Sequence, residues 1–549
     1  MNQVTETGRL NLEWATTLAA ALAGAGVREA VISPGSRSTP LTLACLRQTA
    51  LRCTVVVDER SAAWFALGRA RADGRPVALV CTSGTAVANW LPAVVEANHA
   101  RLPLILLSAD RPPELQQCGA NQTIDQDAMF AGQTRAMHNP GTPFATFSPR
   151  WLVQLVAQAV AEARWPLPGP VHLNLPFREP LLPTDTDYAI ADIPPTPEMP
   201  TPIAIPDADA VARLAGSLEG RRGIIVCGGR IAAEGFAAAV TLLAERLACP
   251  ILADPHSGLR FGPHPKTHLC TSHERWLRER ISAPELQPAW VLRFGDMPVT
   301  RTMQSYLAVC DEHYVTDPHG RWPDPLHRTR MLIPGNESLL CEALASRVTA
   351  AAPAAWFAAF ASAESGAISG ADAPPPPQGE LFAALCRSLP GGTQLFCGNS
   401  LPIRDLAAWS GCGPQTLHIH ANRGASGIDG NIATAAGLAD SAPTVAVIGD
   451  LTAQHDLGSL VLMRNRPFVV IVINNGGGGI FEHLPPARLP EFEAGWLTPQ
   501  NLSFEDAAHA FGIAYQQTAD PRDAAMRAVR TVSVGRPALI ELIAPQGAR

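Results

Sequence analysis

The sequence predicts an α/β protein made of three doubly wound parallel-sheet domains. Three observations carry that expectation. Short apolar runs alternate with helical patterns along the whole chain, and such alternation implies parallel sheets covered by helices. The runs are followed by Gly, Asp, Ser and Asn, as at strand ends facing a ligand. Two proline-rich stretches divide the chain into three blocks, expected at 1–185, 205–350 and 378–549. With 549 residues, the chain has material for about three to four domains of ~150 residues.

In the first block the expected strands are Ala30–Ser33, Thr54–Val57, Val77–Cys81 and Leu102–Leu107. They lead to Pro34–Ser38, to Asp58-Glu59 with a helical Ala62–Arg71, and to Thr82-Ser83-Gly84-Thr85. The first divider carries Pro183, Pro194, Pro195, Pro197, Pro200, Pro202 and Pro206. The middle block offers Gly223–Cys227 followed by Gly228-Gly229-Arg230, which lacks the full dinucleotide pattern and reads as structural. The second divider, Ala350 to Gln378, is Ala-rich and ends in Pro374–Pro377; both dividers read as extended connections. The last block offers Thr444–Ile448 before Gly449-Asp450 and Phe468–Ile473 before Asn474-Asn475. Leu457, Leu460, Val461 and Met463 suggest one helix between them, with its N-terminus near Thr452-Ala453.

Composition excludes several classes. Hydrophobic residues make up 47% and charged residues 17%, which fits large globular cores. A net charge of -7 without a long Lys/Arg cluster argues against nucleic acid. The apolar runs are too short to cross a bilayer. The N-terminus lacks a basic region followed by an apolar one, so no signal peptide is expected. The 12 cysteines form no C-x-x-C pair, which argues against zinc and for unpaired thiols in the cytoplasm.

The chemistry is expected at strand ends. Asp450 and Asn475 follow strands that, as parallel neighbours, open on one sheet edge, and their oxygens suit Mg²⁺. Free N–H groups at the next helix could meet a phosphate. Taken alone, Asp450 could equally be a helix cap and Asn474-Asn475 a turn. Glu59 is either an acid at a strand end or a surface residue capping the next helix. His418 and His420 read as strand-end packing.

Gly-Asp followed about 25 residues later by Asn-Asn resembles the thiamine-diphosphate motif, although Leu451 stands where a second Gly is usual. Closer segments narrow the resemblance. They are Ile32–Ser38, Ser108–Pro112, Gly119–Gln126, Gly398–Asp405, Asn422–Gly430 and Asn474–Phe481. The chain is similar to the 2-succinyl-5-enolpyruvyl-6-hydroxy-3-cyclohexene-1-carboxylate synthases of menaquinone biosynthesis, which also carry Gly-Asp-Leu.

The resemblance implies pyrimidine-binding, central and diphosphate-binding domains, in that order. It implies thiamine diphosphate with Mg²⁺ or Mn²⁺ held by Asp450, Asn475 and the Gly477 carbonyl. Leu451, Thr452, Ala453 and Gly478 would line the diphosphate, Ile428 would keep the cofactor bent, and Glu59 would hold a proton at its aminopyrimidine. The implied substrates are 2-oxoglutarate and isochorismate, both dianions, which suits guanidinium forks at Arg37, Arg111, Arg301, Arg404 and Arg423. Ser36, Ser400, Asn121 and Gln122 would hydrogen-bond them, and Ile480 and Phe481 would form an apolar wall. A homodimer or homotetramer with sites at the subunit interface is also implied. Two alternatives stay open: another 2-oxo-acid decarboxylase or acetolactate-type synthase on the same cofactor, or a cofactor-binding subunit without turnover.

Overall fold

The computed structural model describes residues 3–186, 193–231, 233–369 and 375–544. It contains three sheets, each of six parallel strands. The first is formed by β1 (Glu29–Ile32), β2 (Arg52–Val55), β3 (Val77–Cys81), β4 (Leu104–Asp110), β5 (Met137–His138) and β6 (Val171–Pro176), in the order β2-β1-β3-β4-β6-β5. The second is formed by β7 (Gly223–Cys227), β8 (Ile251–Ala253), β9 (Leu269–Cys270), β10 (Trp290–Phe294), β11 (His313–Thr316) and β12 (Thr329–Ile333), in the order β12-β11-β10-β7-β8-β9. The third is formed by β13 (Gln394–Cys397), β14 (His418–His420), β15 (Thr444–Gly449), β16 (Phe468–Asn474), β17 (Ala514–Thr518) and β18 (Ala538–Ile543), in the order β14-β13-β15-β16-β18-β17.

Strand order reverses between β1 and β3, between β7 and β10, and between β13 and β15. In doubly wound sheets the crevice at such a reversal, beyond the strands' carboxyl ends, is where ligands bind. Interior strands such as β3 and β7 are apolar throughout because both their faces are covered, whereas the edge strands β2, β14 and β17 carry polar, partly exposed residues. On β7, Ile224 and Val226 enter one core while Ile225 and Cys227 enter the other, following the two-residue period of a strand.

The chain forms two compact units. One comprises Met1–Pro202, Asn422–Ser441 and Gln454–Arg466; the other comprises Ile203–Ala421, Ala442–Ala453 and Pro467–Arg549. In the first, helix Glu59–Asp73 crosses helix Asn431–Ala439 at paired glycines. An ideal Cβ on Gly68 would lie 2.1 Å from the Thr434 carbonyl oxygen, and one on Gly437 would lie 2.3 Å from that of Phe65.

Three local expectations change. The strand expected at Thr54–Val57 is β2, Arg52–Val55, because it lies at the sheet edge against β1 and the ladder ends at Val55↔Ile32. The Ala-rich stretch expected to be extended contains helix Ala354–Ile368, whose Trp356, Phe360, Ala363 and Ala367 enter a core. Alanine is the strongest helix former, and the prolines flank this helix instead of interrupting it. Residues 370–374, and 187–192 of the first divider, lie outside the described residues. Finally, the single helix expected around Leu457–Met463 is two pieces, helix Asp450–His455 and a 3₁₀ segment Leu457–Met463. Buried Asp456 separates them, and its carboxylate accepts the Ala433 N–H and the Ser459 hydroxyl instead of extending a helix.

All twelve cysteines are free thiols. Gly228 follows β7 closely enough that a Cβ there would lie 1.8 Å from the Asp296 carbonyl, and Arg230 pairs with Asp296. Both serve the packing of the turn. His420 bonds Gln394 on the neighbouring strand.

Candidate active site

In the first unit, the carboxyl ends of β1, β3, β4 and β6 bring several side chains together. Gly35 lets the loop after β1 lie on the loop after β3, since a Cβ there would be 2.4 Å from Thr82 Cβ. Arg37 is buried, and its guanidinium donates to the Phe177 carbonyl at 2.9 Å and the Glu179 carboxylate at 2.8 Å. Arg111 donates to the Ser83 hydroxyl. Ser83 in turn donates to the Gln122 carbonyl at 3.0 Å, while the Gln122 amide donates to the Ser83 carbonyl at 2.8 Å. Gln122 has a φ of 56°, a left-handed conformation uncommon outside glycine. Burial, and then the nearby Arg37 charge, lower the Arg111 pKa from its ordinary value. Two guanidiniums thus share one sheet edge, Arg37 paired with Glu179 and Arg111 bonded to a neutral serine, and guanidinium forks of this kind can take an anion. Ser36 and Asn121 are exposed.

A buried network underlies this edge. Gln126 accepts the Gly84 N–H at 2.9 Å and donates to Asn174 at 2.9 Å. Asn174 donates to Asp110 and Asp127, and accepts from Ser108. His172 completes the network through Ser108, and burial lowers its pKa to about 4, so it is neutral at pH 7.

Glu59 is the first residue of helix Glu59–Asp73, beyond β2. The helix cap is Asp58, which accepts the Arg60 and Ser61 N–H groups, so capping does not occupy Glu59. Its carboxylate is half-buried, and no group among the described residues donates to it. The loop Asn422–Gly430 belongs to this unit and carries Arg423, half-buried, and Ile428. Ile428 is 38% exposed, which removes it from core packing.

In the second unit, β15 and β16 pair in parallel, with Gly449 opposite Ile473. Asp450 and Asn474-Asn475 therefore leave the sheet side by side. The Asp450 carboxylate accepts the Leu451 N–H at 2.8 Å and the Gly477 N–H at 2.8 Å. Burial raises its pKa despite these bonds. Asn474 is turned inward, donating to Glu541, which leaves Asn475 as the amide at the sheet edge. Gly477 has a φ of 129°, and a Cβ there would lie 2.1 Å from the Leu497 carbonyl; a Cβ on Gly478 would lie 2.4 Å from that of Trp496. Only glycine fits either place. A carboxylate, an amide oxygen and a carbonyl form a hard oxygen donor set, so these residues fit Mg²⁺ or Mn²⁺. Helix Asp450–His455 begins two residues before Thr452, with Leu451 half-buried and Thr452 and Ala453 buried in its first turn.

Ser400 follows β13 at a φ of 72° and ψ of -125°, a backbone conformation normally reserved for glycine. Arg404, one helical turn on, is exposed and donates to the Ser400 carbonyl. Ile480 and Phe481 are half-buried in the 3₁₀ segment Gly479–His483. Arg301 belongs to the same unit as Ser400 and Arg404. It is exposed, at the head of helix Arg301–Leu307, beyond the middle sheet.

Sequence reasoning missed Ser83, Gln126, Asn174 and Glu96. Glu96 is fully buried, and its two oxygens accept the Gly424 and Ala425 N–H groups. Its sequence signal was present: a carboxylate on the helix Leu91–Ala100 face that holds buried Ala93, Ala97 and Ala100.

Two domain families match the chain. "Thiamine pyrophosphate enzyme, N-terminal TPP binding domain" spans residues 12–129, and "Thiamine pyrophosphate enzyme, C-terminal TPP binding domain" spans 406–542. With the three parallel sheets, they define a thiamine-diphosphate-dependent enzyme. Among curated relatives, the 2-succinyl-5-enolpyruvyl-6-hydroxy-3-cyclohexene-1-carboxylate synthase of Dechloromonas aromatica (strain RCB) is 48% identical over 98% of this chain and 99% of its own. Proteins of the same name from Roseiflexus sp. (strain RS-1) and Geobacillus kaustophilus (strain HTA426) are each 41% identical, over 96% and 91% of this chain and 94% and 89% of theirs. The chain belongs to the 2-succinyl-5-enolpyruvyl-6-hydroxy-3-cyclohexene-1-carboxylate synthase family.

Proposed function

We propose that the protein decarboxylates 2-oxoglutarate and adds the remaining four-carbon fragment to isochorismate. The products are 2-succinyl-5-enolpyruvyl-6-hydroxy-3-cyclohexene-1-carboxylate and CO₂. Family membership supports this reaction, and the paired guanidiniums of Arg37 and Arg111 are the observation that carries it. They suit substrates bearing two carboxylates better than small neutral acceptors.

When bound, thiamine diphosphate would supply the nucleophilic carbon and take up the electrons left by CO₂. The protein's residues bind, orient and move protons. Glu59 holds a proton at the aminopyrimidine ring nitrogen; its lack of other donors suits that task. Asp450, Asn475 and the Gly477 carbonyl hold Mg²⁺ or Mn²⁺, and Leu451, Thr452, Ala453 and Gly478 line the diphosphate. Ile428 supports the bent cofactor. Arg37, Arg111, Arg301, Arg404 and Arg423 take the substrate carboxylates, with hydrogen bonds from Ser36, Ser400, Asn121 and Gln122. Ile480 and Phe481 keep the reacting carboxylate in apolar surroundings, which favours loss of its charge as CO₂.

The active form is a cytoplasmic homodimer or homotetramer with sites at the subunit interface. Among the described residues no helix is long and apolar enough to cross a membrane.

The test follows isochorismate loss and CO₂ release together, with thiamine diphosphate, Mg²⁺ and 2-oxoglutarate present. Coupled consumption, abolished in Glu59→Gln, is the expected result. CO₂ release indifferent to isochorismate would overturn the acceptor assignment.

A further inference from the structure

We infer that Glu96 is a positioning residue that holds the Arg423–Ile428 loop in its working shape. The inference rests on the reaction proposed above for its kinetic consequence, though not for its geometry.

Glu96 lies on helix Leu91–Ala100 and is fully buried. Its Oε1 accepts the Gly424 N–H at 2.8 Å, and its Oε2 accepts the Ala425 N–H at 2.6 Å. Arg71 approaches Oε1 at 3.5 Å and supplies a countercharge. A buried carboxylate receiving two consecutive backbone N–H groups fixes the orientation of two peptide planes at once. Those planes lie directly after Arg423.

The loop is moulded at three further points. A Cβ on Gly424 would lie 2.6 Å from the Glu96 carbonyl oxygen and 2.8 Å from the Ala100 nitrogen. A Cβ on Gly430 would lie 2.0 Å from the Trp64 ring. Asn422 donates to Thr434 at 3.1 Å. Between these anchors the loop passes through a left-handed Ser426, with a φ of 65°, and leaves Ile428 exposed. The anchors face the unit's interior, and the one carboxylate among them sets where Arg423 leaves the backbone.

Glu96→Gln tests this with little change in volume. The amide keeps one acceptor, but its NH₂ must face a backbone N–H donor. Hydrogen exchange of a peptide covering 422–430 is the first readout. Losing a charge-assisted bond should speed exchange at residues 424 and 425 by about tenfold or more. Exchange in helix Glu59–Asp73 should stay as in the wild type, and Glu96→Asp, which retains both oxygens, should restore part of the protection. Unchanged exchange in Glu96→Gln would overturn the inference outright.

The second readout is a double-mutant cycle with Arg423→Ala. If Glu96 acts through Arg423, Glu96→Gln should raise a substrate KM by about tenfold in the wild type and add little once Arg423 is gone. Fully additive effects would overturn positioning and leave a purely structural bond. A wild type that consumes neither substrate refutes the proposed reaction, and hydrogen exchange still decides whether Glu96 holds the loop.

Discussion

Replacing Gly68 by Ala inserts one methyl group where helices Glu59–Asp73 and Asn431–Ala439 touch. In an open helix this change is favourable, because Gly costs about 1 kcal/mol relative to Ala. Here the new Cβ would lie 2.1 Å from the Thr434 carbonyl oxygen and 3.0 Å from Gly437 Cα. Both obstacles are backbone, so no rotamer relieves them. The helices must part by on the order of 1 Å to restore van der Waals contact. Overpacking of this kind costs about 1–3 kcal/mol, more than the propensity gained. For a unit of this size, thermal unfolding should shift down by about 2–4 °C per kcal/mol lost.

Gly216→Ala is the matching control. It lies in helix Ala208–Leu218, and a Cβ there meets nothing within 4 Å. The same substitution should raise the midpoint, by the equivalent of up to about 1 kcal/mol. Activity gives the second readout. One of the crossing helices begins at Glu59, and the other follows the loop carrying Ile428. A displacement near 1 Å between reacting groups costs about a hundredfold in rate. Gly68→Ala should therefore lose turnover at saturating substrate, whereas Gly216→Ala should not. A Gly68→Ala protein as stable and active as Gly216→Ala would refute the reasoning.

Ser400→Gly should be more stable than the wild type by about 1 kcal/mol, because glycine adopts the backbone angles of Ser400 without strain, yet turn over more slowly for want of the hydroxyl; thermal unfolding beside steady-state kinetics checks both. Burial raises the Asp456 pKa to about 6 from the usual 3.8, so the fold favours its protonated form, and stability is lost as pH rises from about 4 to 6. The cost is about 3 kcal/mol at pH 8 and roughly half that at pH 5, so the stability of Asp456→Asn relative to wild type should improve between pH 5 and pH 8; an unchanged difference would sink the argument. Asp450→Ala should need far more Mg²⁺ for activity, measured by metal titration, because a carboxylate gives way to a methyl group among the proposed metal ligands.

Much of this architecture is legible in the sequence, for an identifiable reason. β3 and β7 have the limits their apolar runs suggest, because a strand buried on both faces must be apolar throughout. Strand ends were visible to within a residue at β15 and β16, which run on through Gly449 and Asn474, but β4 begins two residues later than expected and continues past Leu107 to Asp110, because its ladder with β6 reaches Asp110↔Pro176. Features set by distant contacts were not legible. β5 and β9 are two residues long and owe their existence to the neighbouring strand. The division between a helix and a 3₁₀ segment near Asp456 depends on Ala433 and Ser459 presenting donors to its carboxylate. Ser83 and Gln126 lie inside recognised segments, yet their roles come from bonds spanning about forty residues, such as Gly84 to Gln126.

The run Asn422–Gly430 shows why a motif can identify a family without dividing the work among its residues. Gly424 and Gly430 are required where a Cβ would meet Ala100 and Trp64, and Asn422 is tied to Thr434. These positions answer to packing within the first unit. Arg423 and Ile428 answer to something else, because an isoleucine 38% exposed on a constrained loop contributes little to that packing. A substitution at Gly424 would then act through geometry and should impair Arg423 as surely as removing its guanidinium. Such motif positions are equally intolerant of change while touching nothing that reacts, and the buried carboxylate of Glu96, outside the motif, belongs with them.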